Sequence, residues 1–408
     1  MPTTAILSRF IEERFFISRP QPGAIAPPKD SMEALFESYE SRAANLPSHS
    51  YARDGSLATA ETEAAIADLV GVEADKLVVF NSGMTAIDNA INTAIHQTVK
   101  PTKRPTVLYS AELYTETTEK IFNYIGKIAR AKVLPFQPGD PEDIERMVTT
   151  HKPNVIVAET VANFQGAAVL DTEHFREFLA KKSPNTISIL DNTLPLSTSL
   201  PLGESLSPSE NIIVVESGTK AFGLNGEMSG HAYSQNNQLL HVLRNYRRNA
   251  GGAPGEANLE RINQLLPSNQ REFDARNNNV QYNAGSLALS IHEGQKVDSN
   301  FTVHHPALSD HPQYDYAKEN LPSGGSPVVF VQLKEKYLGK ERMIEIGNRI
   351  AHNPKVEPHA EIGQSFGLDK TRILASRWGP VLRIAAGVET DVEQLGPALR
   401  DAIINSTK

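Results

Sequence analysis

Short apolar runs alternate with helix-length segments along most of the chain, and the runs end on polar residues. KLVVF gives way to a Ser-Gly break and then to GMTAIDNAINTAIHQ, whose apolar positions recur at helical spacing. PTVLYSAELYTETTEKIFNYIGKI and AKVLPFQPGDPEDIERMVTT repeat the order strand, loop, helix. NVIVAET, ISILDNT, NIIVVESGTK and SGHAYSQ add further strand-like runs. Such runs suit strands buried on both faces of a largely parallel sheet, joined by helices. Ligands of such sheets sit beyond the carboxyl ends of the strands. Chemistry is therefore expected at Asn81 to Met84, Tyr114, Glu159 to Asn163, Asp191 to Thr193, and Ser217 to Lys220.

Regular order begins near Thr59, where TAETEAAIADLVGV predicts a helix with acids in its early turns. Residues 1–55 form an N-terminal arm, with Pro and Gly concentrated in SRPQPGAIAPPKD. Residues 56–250 carry the alternating pattern and make the large domain. The pattern changes after Ser234: LLHVLRNYRRN predicts a helix, AGGAPGEAN a break, and a long helical stretch then runs through SLALSIHEG. SPVVFVQLK, GPVLRIAAG and DVEQLGPALRDAI complete a smaller α+β domain over residues 251–408. No internal repeat appears.

Composition narrows the class. With 39% hydrophobic and 22% charged residues, the 408-residue chain has the makeup of a soluble globular protein. A net charge of −8 argues against a nucleic-acid partner, which would favour a basic face. The absence of cysteine excludes disulfides, thiolate metal sites and cysteine nucleophiles, and no metal is expected. No segment has the makeup of a signal peptide or a membrane span, so the expected location is cytoplasmic.

Each polar strand end has a bland reading and a chemical one. Lys220 alone would be a solvated charge; between Ser217 and Thr219, against apolar surroundings, it becomes a candidate for Schiff-base chemistry. Ser82 and Gly83 make an N-cap, or a phosphate site at a helix start. Asp191 closes a turn, or pairs with a ring nitrogen and keeps it protonated. Tyr114 packs as a half-buried ring, or stacks on a planar cofactor and moves a proton. Arg383, inside GPVLRIAAG, forms an internal salt bridge or clamps a carboxylate. Together these groups fit pyridoxal 5′-phosphate bound with an amino acid.

From about Tyr51 onward the chain resembles the Cys/Met-metabolism family of fold type I pyridoxal-phosphate enzymes, which includes cystathionine γ-synthase, the cystathionine lyases and methionine γ-lyase. In chain order, YARDGSLAT is similar to the family's Tyr-x-Arg-x-Gly segment, NSGMTAI to its Ser-Gly-Met turn, and ELYTETTEKIF to its Tyr-Gly-Gly-Thr loop. AETVANF, LDNTLPLSTSLPL, ESGTKAF, HPALSDHPQYDYAKE and VLRIAAGVETDVEQL complete the series. The resemblance implies an α/β, aminotransferase-like large domain with a mostly parallel seven-stranded sheet between helices, plus the smaller domain. It implies that Lys220 carries the cofactor aldimine, Asp191 pairs with the pyridine nitrogen, Tyr114 stacks on the ring and Asn163 contacts the ring hydroxyl. Gly83, Met84, Ser217 and Thr219 would hold the phosphate, with Thr193 beside them, and Tyr51 and Arg53 would reach the phosphate of a neighbouring subunit. Arg383 and Ser365 would bind the substrate carboxylate. Sites would be shared across a dimer, and the expected assembly is a homotetramer.

The sequence departs from the family in its first fifty residues, in the loop after Tyr114, which lacks paired glycines, at LLPSNQREF, and at Gln364, where cystathionine-handling members often carry glutamate. The implied activity is a β- or γ-elimination lyase acting through the Lys220 aldimine and carbanion chemistry on an amino acid with a side-chain leaving group. The alternatives are a γ-replacement synthase and, second, an aminotransferase.

Overall fold

The computed structural model describes residues 55–99, 103–224, 227–298, 300–337, 339–363, 369–376 and 379–407. All seven expected strands of the large sheet form: β1 (Leu77–Phe80), β2 (Thr106–Ser110), β3 (Lys132–Phe136), β4 (Val155–Glu159), β5 (Ile187–Asp191), β6 (Ile212–Glu216) and β7 (Gly230–Tyr233). Their order across the sheet is β1-β7-β6-β5-β4-β2-β3. β2 through β6 pair in parallel, whereas β7 runs antiparallel to both β1 and β6. The sheet is buried on both faces, as its unbroken apolar runs require. Leu77 and Val79 of β1 face one core, with Leu108, Ile156 and Leu190, while Val78 and Phe80 face the other, with Val107, Val157 and Ile189.

The helices start where local chemistry permits. Ser56 caps Leu57–Val70 in a reciprocal pair with Thr59, and Gly71 ends that helix in the left-handed region at φ 73°. Ser82 caps Gly83–Thr98, accepting from Thr85 N at 3.1 Å. The predicted helix after Tyr114 forms differently: Thr115–Glu119 is α-helical, and Lys120–Gly126 widens to a π-helix. Its apolar residues split, with Ile121 and Ile125 buried and Phe122 and Tyr124 exposed. Positions four apart share one side of a helix, so Ile121 and Ile125 go inward together while Phe122 and Tyr124 stay at the surface.

The helical stretch expected through SLALSIHEG is two helices, Glu256–Leu265 and Gln270–Gln295. Pro267 cannot donate to a helical ladder, and Asn269 caps the second helix at Glu272 N. Leu259, Ile262 and Phe273 pack in the core of the large sheet, and Val280 to Ile291 in that of a second sheet.

The second sheet comprises β8 (Phe301–His304), β9 (Val328–Leu333), β10 (Ala360–Ile362), β11 (Thr371–Ala375) and β12 (Val381–Ala385), ordered β10-β11-β12-β9-β8. Only the β10–β11 pair is parallel. One face covers an apolar core with Val329, Ile373, Leu382 and Ile384. On the adjacent strands Phe330, Arg383 and Leu374 lie side by side in register on the other face.

Candidate active site

A cavity of about 700 Å³ opens beyond the carboxyl ends of β4, β5 and β6 and against the Phe330–Arg383–Leu374 row of the second sheet. It takes in Gly83, Met84, Tyr114, Asn163, Asp191 and Thr193. Ser217, Thr219, Lys220 and Arg383 complete the set of sequence-predicted residues that meet there. Tyr51, Arg53, Gln364 and Ser365 lie outside the described residues.

β6 is buried throughout and ends at Glu216; the chain then turns through Ser217 into the four-residue helix Gly218–Ala221, which carries Lys220. Burial first, then the guanidinium groups of Arg383 and Arg372, lower the Lys220 amine to about 8. The turn is tied on both sides. Ser217 N donates to Thr193 Oγ1 at 3.0 Å, and Thr219 gives its N–H and its hydroxyl to Ser229 O and accepts from Ser229 N at 2.8 Å. Both protons of Thr219 thus serve the turn.

The helix start at Gly83 meets this turn closely. A Cβ at Gly83 would lie 3.0 Å from Ser217 Cβ, and one at Gly230 would fall 2.4 Å from Gly83 N. Gly230 must stay bare, and a side chain at Gly83 would force Ser217 to shift. Like every helix start, this one directs first-turn N–H groups outward without helical acceptors.

Asp191 ends β5, and its Oδ1 accepts Thr193 N at 3.0 Å. Burial raises its carboxyl, bonds from Thr193 lower it, and the Glu216 charge raises it, bringing it to about 6. Beside it in the register stands Glu159, at the end of β4 and 4% exposed. One oxygen of Glu159 accepts Tyr114 N at 2.5 Å and the other accepts Asn163 N at 2.6 Å. Burial and the Asp191 charge push Glu159 upward, against those two bonds. Two acids side by side at a cavity floor are relieved by a cation, and a protonated ring nitrogen is one.

Asn163 Oδ1 accepts Arg383 Nε at 3.1 Å. Burial lowers the Arg383 guanidinium to about 10, while Tyr114 and Glu159 push back. The Tyr114 phenol rises to about 12 through burial and through Glu116, whose carboxylate bonds it. Glu116 carries no site reading in the sequence, and Glu159 stands there among the strand ends without a role. Glu159 lay within a flagged strand end, AET, but its bridge between two loops is a tertiary fact.

The geometry fits pyridoxal phosphate on all counts that residues can decide: a depressed amine, a carboxylate at a strand end, a tyrosine at the wall, and a glycine-lined helix start at the turn.

The chain matches the family described as "Cys/Met metabolism PLP-dependent enzyme" over residues 24–392. No curated protein matches it by sequence. Among solved structures, cystathionine gamma synthase of Xanthomonas oryzae pv. oryzae, in complex with cystathionine, is similar at a TM-score of 0.68 with 19% identity, covering 89% of each chain. MetB of Corynebacterium glutamicum is similar at 0.69 with 18% identity over 88% of each chain. A methionine gamma lyase of Micromonospora echinospora, in its apo form, is similar at 0.66 with 19% identity over 90% of each. At these identities the likeness establishes the shared fold. The family match spans most of the chain, and this protein belongs to the Cys/Met metabolism family of pyridoxal-phosphate-dependent enzymes.

Proposed function

We propose that this chain is a β- or γ-elimination lyase acting on an amino acid that carries a leaving group on its side chain. The observation that supports this most directly is the depressed amine of Lys220, set in one cavity with Asp191, Tyr114 and Arg383. The cofactor, when bound, supplies an aldehyde that joins amines and a ring that accepts electrons.

Each residue then has a task. Lys220 would hold the cofactor through its aldehyde, and its amine would serve as the base for the substrate's Cα proton. Asp191 holds a proton on the ring nitrogen. Arg383 grips the substrate carboxylate with its planar fork, and Asn163 fixes that fork through the Nε bond at 3.1 Å. Tyr114 stacks against the ring, and its phenol, raised to about 12, is kept protonated for delivery to the leaving group. Gly83, Met84 and Ser217 receive the phosphate, on a turn that Thr193 and Thr219 hold in shape. Tyr51 and Arg53 would complete the phosphate site of a neighbouring subunit, and Ser365 would assist Arg383. We infer a homo-oligomer with shared sites, a tetramer, working in the cytoplasm. Among the described residues no helix is long and apolar enough to cross a membrane.

Replacement of the leaving group by a thiol uses the same groups and differs in what enters last. The deciding assay offers O-acylhomoserine with and without a thiol. Elimination predicts a keto acid and ammonia in both cases; product formed only with thiol would make the chain a synthase. Net transfer of the amino group to a keto acid would instead identify an aminotransferase.

Glu159→Gln tests the support beneath Tyr114 and Asn163. The amide can accept only one of the two backbone bonds and turns an NH2 toward the other N–H. The expected stability loss is about 2 kcal/mol, the scale of a bond to a charged group. KM should rise because Arg383 loses its alignment through Asn163. Unchanged KM in a folded variant would show that Asn163 holds its place without Glu159.

A further inference from the structure

Behind the cavity lies a second polar layer that the chemistry above does not use. Side chains alternate across a strand. Glu159 and Asp191 face the cavity, and the residues that follow them, Thr160 and Asn192, turn away from it. Thr160, Asn192 and Glu216 are all fully buried, at 0% exposure. They are joined in one line across three adjacent strand ends. Thr160 Oγ1 donates to Asn192 Oδ1 at 2.9 Å, and Asn192 Nδ2 donates to Glu216 Oε1 at 2.9 Å. Ser197 Oγ donates to the same Glu216 oxygen at 2.6 Å, and Tyr233 Oη approaches it at 3.4 Å.

The other Glu216 oxygen lies 3.4 Å from His231 Nε2 on β7, the residue paired with Glu216 in the register. The His231 ring stacks on Phe222 at 5.7 Å with 29° between the planes. Phe222 is two residues beyond Lys220, and the residue before His231 is Gly230, which packs on the backbone of Ser82 and Gly83. Glu216 itself precedes Ser217, and its carboxylate bonds the neighbour of Asp191 and lies beside the strand beneath the Gly83 turn.

We propose that Glu216 is a positioning residue: the hub of a buried network, Thr160–Asn192–Glu216 with Ser197, Tyr233 and His231, that fixes the spacing of the β4, β5 and β6 ends and so of Asp191 and Lys220. A buried carboxylate is costly and persists only with dedicated donors. An apolar side chain would fill this space without tying three strand ends together. The proposal rests on Asp191 and Lys220 acting as described above.

The test uses the full chain, loaded and unloaded. Glu216→Gln keeps the volume and removes the charge on which Asn192, Ser197 and Tyr233 converge. Ser197→Ala and Thr160→Val each remove one link and serve where Glu216→Gln does not fold. Titration of the apoprotein with pyridoxal phosphate should show affinity weakened about tenfold, and kcat per loaded site should fall about tenfold with KM within about twofold, the scale expected of sub-ångström misplacement. The visible absorption of the bound cofactor should shift with it. A lowered melting temperature with cofactor affinity, spectrum and kcat per loaded site unchanged would overturn the proposal, since the network would then serve stability alone. Lys220→Ala separates the two ideas. Turnover that survives it removes the site assignment, whereas Lys220-dependent turnover indifferent to Glu216→Gln removes only the network's role.

Discussion

Lys220→Ala is expected to lower turnover about ten-thousand-fold, the upper range for loss of a positioned proton-transfer group. On the role proposed for Lys220, the variant would remove both the amine that holds the cofactor and the base that serves Cα. Borohydride treatment of the wild-type holoenzyme should fix the cofactor on the peptide containing Lys220, and the variant should show no such adduct. Small exogenous amines should restore part of the activity of the variant, because what is missing is a base and not a fold. The pH dependence follows from the amine's environment. Lys220 stands at about 8 instead of the ordinary 10.5. At pH 7 about one amine in ten is then neutral, against about one in 3,000 at the ordinary value, a gain of about 300-fold in the reactive form. Cofactor uptake by the apoprotein should therefore rise with pH and level off above about pH 8. Uptake still climbing steeply at pH 10, or full turnover in Lys220→Ala, would defeat the assignment.

Asp191→Asn should be nearly as damaging, about a thousandfold in kcat, with the fold intact. The amide oxygen can still accept Thr193 N, so the local turn survives while the charge is lost. On the role proposed for Asp191, the variant would no longer hold a proton on the cofactor's ring nitrogen. Burial holds the Asp191 carboxyl at about 6. Its charge is present above that pH and disappears as pH falls through it. Cofactor affinity of the apoprotein should decline on the acid side of about pH 6, and Asp191→Asn should abolish that dependence. A variant whose affinity, turnover and acid limb all match the wild type would show that another group faces the ring nitrogen.

Much of this was legible in the chain itself. Runs such as NIIVVE and NVIVAE have no polar face, so they become strands only where a sheet is covered on both sides. The seven-stranded sheet and the placing of Lys220, Asp191 and Gly83 at strand or helix ends follow from that. Other features were not legible. The π-helix after Tyr114 depends on which of Ile121, Phe122, Tyr124 and Ile125 finds a core, and the sequence shows four apolar residues without ranking them. The break at Pro267 was lost in a long helical pattern, because Asn269 restarts the helix within two residues.

The sequence by itself determined most of the elements and the chemical kinds of the candidate catalytic groups, because period and residue type are local properties of a chain. The tertiary structure alone decided which groups meet. Arg383 is 163 residues from Lys220 by number and reaches the cavity only because β12 lies beside β9 and β11 with its other face in an apolar core. Glu159 bridges Tyr114 and Asn163, and Glu216 gathers Asn192, Ser197 and Tyr233, through bonds between segments that no spacing rule connects. A buried carboxylate is stable only where donors from several elements converge on it, and that convergence comes into being when the sheets pack.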